Sequence, residues 1–340
     1  METAATSRLE SLRGGAIDPG LVIVVLLLLG AAIFLLVGCL QSTFFAQTTV
    51  QGLALGSAYG SLALALVLIY RATHVINFAQ GELAMFTTYI AYELGLHGLS
   101  YWAAFAVTLA IAFVLGTALQ VTVIRPLQHR SVIAVVIVTV GLFILIDGVV
   151  NWIWGGDFKS MKSPFGNGAF EVGGVTILHQ YAGMVIVVFA SVVLVWALFR
   201  FTKLGLGMRA AALRPEAAAL VGVRVDSMLA IGWGLAALLG AVAGLMTEPS
   251  QIFLSPTFMQ PILVYAFAAA VLGGLESPVG ALVGGLLIGV TLTLIAGYEP
   301  NIGPIQITSE LQVPFVFAVL LVILLVKPSG LFGRREVRRV

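Results

Sequence analysis

The sequence predicts an all-α polytopic membrane protein of about ten transmembrane or re-entrant helices. Composition is the first reason: of 340 residues, 60% are hydrophobic and only 9% charged, and mean hydropathy is +1.09. No soluble domain needs so much apolar surface. The second reason is that the apolar residues form continuous runs of roughly 20, the length of a membrane-crossing helix, whereas a barrel would alternate. The third is that the cations are segregated. With about ten crossings and both termini cytoplasmic, every Lys and Arg other than Lys159 and Lys162 falls on the inner side. The single Cys39 excludes an intrachain disulfide and a cysteine-rich metal site.

Residues 1–20 are polar, carry Arg8 and Arg13, and read as a cytoplasmic tail. Residues 21–40 form the first span. The basic flank and Leu36-Val37-Gly38-Cys39 also resemble a secretory signal ending in a lipoprotein box, but the many spans that follow favour an uncleaved anchor. Residues 48–70 are the second span. Gly52, Gly56 and Gly60 recur there every four residues, a small-residue strip that lets another helix approach closely. After Arg71, an unusually polar third segment opens on Asn77-Phe78-Ala79-Gln80-Gly81-Glu82 and reaches Leu94.

Residues 101–124 are the fourth span, followed by Arg125, His129 and Arg130. Residues 131–154 are the fifth and carry Asp147, with Asn151 four positions on. Residues 155–180 form a Gly-rich external loop. Residues 181–199 return to the cytoplasm and 228–246 leave it again. Segments 261–272, 279–296 and 311–326 complete the membrane part, and 327–340 form a basic cytoplasmic tail. Segments 77–94 and 261–272 are short or polar enough to be re-entrant. Gly and Pro in 273–280 interrupt a helix there, while Gly280 and Gly284, then Gly285 and Gly289, repeat the close-packing spacing.

Residues 202–226 lie between two spans, on the cytoplasmic side by virtue of Lys203, Arg209, Arg214 and Arg224. Gly205 and Gly207 are expected to break the incoming helix. Pro215 then opens a short surface helix, with Glu216 in its first turn favoured by the helix dipole, Ala217 and Ala218 inside it and Gly222 bounding it. A tight turn between two spans would not require these residues. Lipid headgroups could meet the basic residues. The Ala-rich, Gly-punctuated sequence offers little bulky apolar surface to insert, so a groove on a soluble partner fits better.

No phosphate-binding Gly-Lys-Ser/Thr loop, metal-ligand cluster or Ser-His-Asp set is present. The chain is therefore not expected to be an enzyme, to bind a metal or cofactor, or to contact nucleic acid. Energy for transport would come from another chain or from an ion gradient. Among intramembrane residues Glu82 stands out, because a carboxylate in a span costs on the order of 3 kcal/mol and faces a cavity or partner. Asn77 and Gln80, on neighbouring turns, are placed to hydrogen-bond with it or to line a polar path. The alternative is a cap at the cytoplasmic interface, with Asn77 as N-cap and Glu82 in the first turns. Asp147 and Asn151 could meet the polar end of a substrate or pair with a neighbouring helix. Trp152 and Trp154 read as interfacial anchors, and Glu248, Glu299 and Glu310 border the external face.

Several motifs occur in one order along the chain: Gly-Ser-Ala-Tyr-Gly at 56–60, Ile-Asn-Phe-Ala-Gln-Gly-Glu at 76–82, and Leu-Gly-Leu-Gly-Met-Arg-Ala at 204–210. Glu216-Ala217-Ala218 with Gly222, Ala-Val-Leu-Gly-Gly at 270–274 and Pro-Ser-Gly-Leu-Phe-Gly at 328–333 follow. In these the chain resembles the inner-membrane permeases of ATP-binding-cassette importers, in the LivH-type branch of the branched-chain amino acid system. The resemblance implies a permease domain over 48–326 and a coupling helix within 202–226. It also implies a second related permease, two cytoplasmic ATPases carrying ATP and Mg, and an extracytoplasmic substrate-binding protein. The leading span 21–40, Gln80 in place of a common histidine, and Asp147 in place of a neutral amide depart from the family pattern. Related permeases carry urea and short amides. An ion-coupled secondary transporter using Glu82 or Asp147, and a passive channel, are the rivals from other classes.

Overall fold

The computed structural model describes residues 33, 35–127, 130–250, 253–299, 301–302, 305–306, 311–327 and 330–333. The tail 1–20, most of the span 21–40, His129, Glu310 and Arg334 onward lie outside the described residues. The chain divides into two units, residues 1–46 and 47–340. In the first, the described residues other than Ser42 are helical, with Ser42 N donating to Gly38 O and Ala46 N to Ser42 O.

Helices α1 (Thr43–Thr73), α2 (Gln80–Leu96), α3 (Tyr101–Leu119) and α4 (Val132–Trp154) come first. A π turn, Gln120–Ile124, and a 3-10 turn, Arg125–Leu127, extend α3. A hairpin of β1 (Ala169–Val172) and β2 (Val175–Leu178) leads into α5 (His179–Phe201). Then follow α6 (Lys203–Leu213), α7 (Pro215–Leu220), α8 (Val225–Thr247), α9 (Met259–Gly273) and α10 (Pro278–Tyr298). The two-residue strands β3 (Asn301–Ile302) and β4 (Ile305–Gln306) precede α11 (Gln312–Val326). Six described helices are long and apolar enough to cross a membrane: α1, extended α3, α4, α5, extended α8 and α10. Helices α9 and α11 are shorter and apolar, and α2 has 17 residues.

Helix ends follow local chemistry. Hydroxyls of Ser100, Ser131 and Ser277 accept the first free amides of α3, α4 and α10 at 3.4, 3.3 and 3.0 Å, and Pro278 opens α10, where its missing N–H is no loss. Gly155 at φ +73° closes α4. Inside the 155–180 loop, Gly173 and Gly174, both at positive φ, form the two-residue turn of the hairpin.

Apolar character does not decide which helices are central, since lipid and protein interior are equally apolar. Small residues decide it. Along the membrane-spanning windows, α1 is 83% buried and α8 78%, against 17% for α4 and 22% for α5. The buried helices carry the glycines. A Cβ on Gly289 of α10 would collide with Gly56 Cα of α1, and one on Gly56 would lie 2.8 Å from Gly285 O. Gly52 faces Val290 and Thr293, Gly60 faces Leu282, and Gly284 meets the Ala269 carbonyl of α9. Gly280 meets Gly273 across the α9–α10 turn. Gly116 of α3 and Gly244 of α8 continue the pattern, against Trp233 O at 2.6 Å and Ala84 O at 2.9 Å.

Two sets of contacts mark the ends of the bundle. At one end Tyr101 OH donates to Leu245 O at 2.7 Å, Trp154 Nε1 donates to Glu93 Oε2 at 2.9 Å, and Lys159 pairs with Leu254 in an isolated bridge. At the other end Arg125 forms an ion pair with Asp226.

Candidate functional site

Between α1 and α2 the chain leaves helical geometry at residues 74–79, and His74 adopts φ 54°. Asn77 Oδ1 accepts from Ala79 N at 3.1 Å, its Nδ2 donates to Gln80 Oε1 at 3.2 Å, and Gln80 Nε2 donates to Ala236 O at 2.9 Å. Ala236 lies midway along α8. Gly240, one turn on, has no Cβ; one built there would lie 2.7 Å from Gln80 Nε2. An unwound backbone is tolerated at membrane depth only where protein satisfies its polar groups; Asn77 answers the Ala79 amide of the break, and Gln80 ties Asn77 to α8.

The capping alternative is thereby corrected. Asn77 does not cap α2: the N-cap position is Ala79, without a side-chain cap, and Asn77 closes a local turn two residues on. The break also lies beside Ala236, the midpoint of α8, while Glu82 does fall in the first turn of α2 as that alternative had it. Nor do Asn77 and Gln80 bond Glu82; they bond each other and α8.

Glu82, in the first turn of α2, is 1% exposed, and neither carboxylate oxygen has a hydrogen-bond partner. Asp147 of α4 and the side-chain amide of Gln260, at the start of α9, lie close enough to act on it electrostatically. Asp147 Oδ1 is also buried without a partner. Tyr89, almost two turns above Glu82, has an unpartnered buried hydroxyl on which both Asp147 and Glu248 act. Glu248 Oε1 accepts from Met161 N at 3.1 Å, while its Oε2 has no partner. Helices α2, α4, α8 and α9 thus bring acceptors and a hydroxyl into one region whose polar capacity is unfilled. A buried, unpartnered polar group is costly, so the arrangement suits a guest bearing donors. Asn151 is outside it: its amide is exposed and donates to the main-chain oxygen of Asp147 at 2.9 Å.

Residues 202–226 differ from expectation in one respect. Gly205 and Gly207 do not break the incoming helix; the break falls at Thr202, in extended geometry, whose hydroxyl caps α6 through Gly205 N at 3.0 Å. Helix α6 runs through both glycines. Gly205 is needed for contact instead, since a Cβ there would lie 2.5 Å from Leu198 O and Phe199 Cα. Pro215 opens α7, Glu216 occupies its first turn, and Gly222 at φ +85° follows it. Glu216 and Ala217 are exposed and Ala218 is buried. Arg209 is half-buried and its Nε donates to Gly205 O at 3.4 Å.

Sequence reasoning missed the bulky apolar surface here: Leu213, Leu220 and Val221 are 78%, 90% and 79% exposed around α7. The signal was present, because all three flank the alanine run. It also missed that two of the motifs dock on each other. Leu331 N donates to Leu272 O at 2.7 Å and Phe332 N to Gly273 O at 3.0 Å, while Gly330 packs on Gly274.

The family model described as "Branched-chain amino acid transport system / permease component" matches residues 48–324. The high-affinity branched-chain amino acid transport system permease protein LivH of Escherichia coli K12 is 29% identical over 88% of this chain and 99% of its own. The corresponding permease protein BraD of Pseudomonas aeruginosa is 28% identical over 87% and 98%. A probable branched-chain amino acid transport permease protein LivH of Methanocaldococcus jannaschii is 30% identical over 70% and 76%. A multi-pass helical architecture and a match that runs through the polar break, the α6–α7 pair and the glycine-packed α10 agree. This chain belongs to the branched-chain amino acid transport system permease component family.

Proposed function

We propose that the chain is the transmembrane permease subunit of an ATP-driven importer for branched-chain amino acids, resident in a bacterial inner membrane. It crosses about ten times with both termini inside, residues 48–326 forming the permease domain, 155–180 facing outward and 202–226 coupling to the ATPases. The names of its relatives support the substrate class. The observation that carries the mechanism is the exposed Leu213, Leu220 and Val221 on a short helix between two spans, an apolar knob for the groove of a soluble subunit.

In this reading two cytoplasmic subunits bind ATP with Mg, a second related permease completes the path, and an extracytoplasmic binding protein delivers the solute. Closure of the ATPases moves α6 and the end of α5 together, because Gly205 packs α6 on Leu198 and Phe199 without slack. That biases the pathway between outward and inward access. Along the path the substrate ammonium meets the open acceptors of Glu82 and Asp147, and its apolar side chain meets the surrounding Met85, Tyr89 and Met259.

Reconstitution of the full complex in liposomes tests this. ATP-dependent leucine uptake that requires the ATPase subunits is the expected result. Uphill uptake by this chain alone, or accessibility of a cysteine at Leu220 from outside the cell, overturns it.

A further inference from the structure

On the cytoplasmic side of the bundle, α1, α5, α6, α8 and α10 enclose a groove of about 460 Å³. Its walls are apolar, built from residues such as Leu64, Val192, Trp196, Phe199 and Leu282, and Arg71, Arg200 and Arg209 share it. No carboxylate lines it. None of these three arginines is in an ion pair among the described residues, whose ion pairs are Arg125–Asp226 and His97–Glu93. The groove opens outward: Val193, Trp196 and Val279 along it are each more than half exposed.

The dimensions fit one leaflet. The wall contributed by α5 runs from Phe189 to Phe199, which at about 1.5 Å per residue is about 15 Å, half of a hydrocarbon core of about 30 Å. Arg71 and Arg200 sit in the last turns of α1 and α5, where a helix dipole favours cations. The dipole does not account for Arg209. It comes from the middle of α6, which folds back beneath the groove, and its one hydrogen bond, through Nε to Gly205 O, leaves the terminal nitrogens available.

We propose that this groove holds one anionic phospholipid of the inner leaflet. The phosphate sits among Arg71, Arg200 and Arg209, and an acyl chain lies along α5 past Trp196. Apolar walls the depth of a leaflet and uncompensated cations at the headgroup level match both parts of such a molecule. The site would tie lipid charge to α6, the helix next to the exposed apolar knob. It does not depend on which solute is transported.

The full chain, purified in mild detergent, is titrated with phosphatidylglycerol or phosphatidylcholine of identical chains, and binding is read by native mass spectrometry. Phosphatidylglycerol should bind more tightly, the preference falling about fivefold in Arg71→Gln and again in Arg200→Gln, with Arg200→Lys retaining most of it. Phosphatidylglycerol with brominated chains should quench the Trp196 component of fluorescence, defined by difference from Trp196→Phe; this arm needs no arginine variant. Equal binding of the two lipids, a preference that survives both glutamine substitutions, or displacement by inorganic phosphate alone overturns the proposal. Loss of Trp196 quenching once the second permease is bound also overturns it, since the groove would then be a protein interface.

Discussion

The side-chain amide of Gln80 donates to the main-chain oxygen of Ala236 across 2.9 Å, joining the start of α2 to the midpoint of α8. The pairing explains why a polar break between α1 and α2 is tolerated inside an apolar bundle. Gln80 is also the acceptor for Asn77, so a single amide closes both ends of a short relay. Gly240 makes room for it. The relay holds the first turn of α2, and hence Glu82, at a fixed depth.

Replacing Gln80 with Leu keeps the volume and removes both bonds. Asn77 Nδ2 then has no acceptor in a buried site, so the variant should lose about 1–3 kcal/mol. Thermal unfolding of the purified chain in detergent measures this. A midpoint equal to that of the parent would show that the relay contributes nothing.

The glycine interface between α1 and α10 can be tested against an internal control. A Cβ at Gly289 meets Gly56 Cα and Gly52 O, which are backbone and cannot swing aside. Gly289→Ala should therefore cost about 1–3 kcal/mol. Gly141, in the middle of α4, has nothing within 4 Å of a built Cβ, and Gly141→Ala should leave stability unchanged or raise it by up to about 1 kcal/mol. Equal midpoints for the two variants would remove the close-packing argument.

These glycines were legible in the sequence because small residues are the one feature that separates a protein-facing from a lipid-facing side of a membrane helix. The spans were legible for the simpler reason of length. Which helices stand at the centre is not legible from apolar character, since α4 and α8 are both apolar along their length; the smaller residues of α8 are the signal that separates them. The break at Thr202 escapes a reading of the sequence that treats glycine as a helix breaker. In α6 it serves as a contact residue, and the breaking is done by a hydroxyl that caps the next helix. The β1–β2 hairpin could have been read from Gly173-Gly174. The meeting of Glu82, Tyr89, Asp147, Glu248 and Gln260 could not, because it joins four helices and no local pattern encodes it. Nor was the Arg125–Asp226 pair readable, since about a hundred residues separate its members.

At the exposed apolar knob around α7, Leu220→Asp combined with Val221→Asp should leave the chain folded, since both side chains are exposed. In the assembled complex, substrate-stimulated ATP hydrolysis and uptake should fall by about tenfold or more, the effect of losing exposed anchors at an interface. Arg209→Glu, on the adjoining helix, should act in the same direction. Unchanged hydrolysis and uptake in both variants, with the ATPases still copurifying, would place the coupling contact elsewhere.

The Glu82 carboxylate gives the sharpest test because stability and transport should move oppositely. It is buried, and neither oxygen has a partner. A charged carboxylate so placed costs on the order of 3 kcal/mol relative to a neutral residue. Glu82→Gln keeps the shape and removes the charge, so the purified chain should unfold at the same or a higher temperature. If the carboxylate receives the ammonium group of a passing amino acid, uptake by the reconstituted complex should nevertheless drop by about ten- to a hundredfold, the value of one charge-assisted hydrogen bond. A fall in both quantities would make Glu82 a structural residue, its charge answered by the Gln260 amide or by water. Unchanged uptake would take it out of the substrate path, and Asp147→Asn, measured in the same two assays, would then decide whether any carboxylate of the cluster meets the solute.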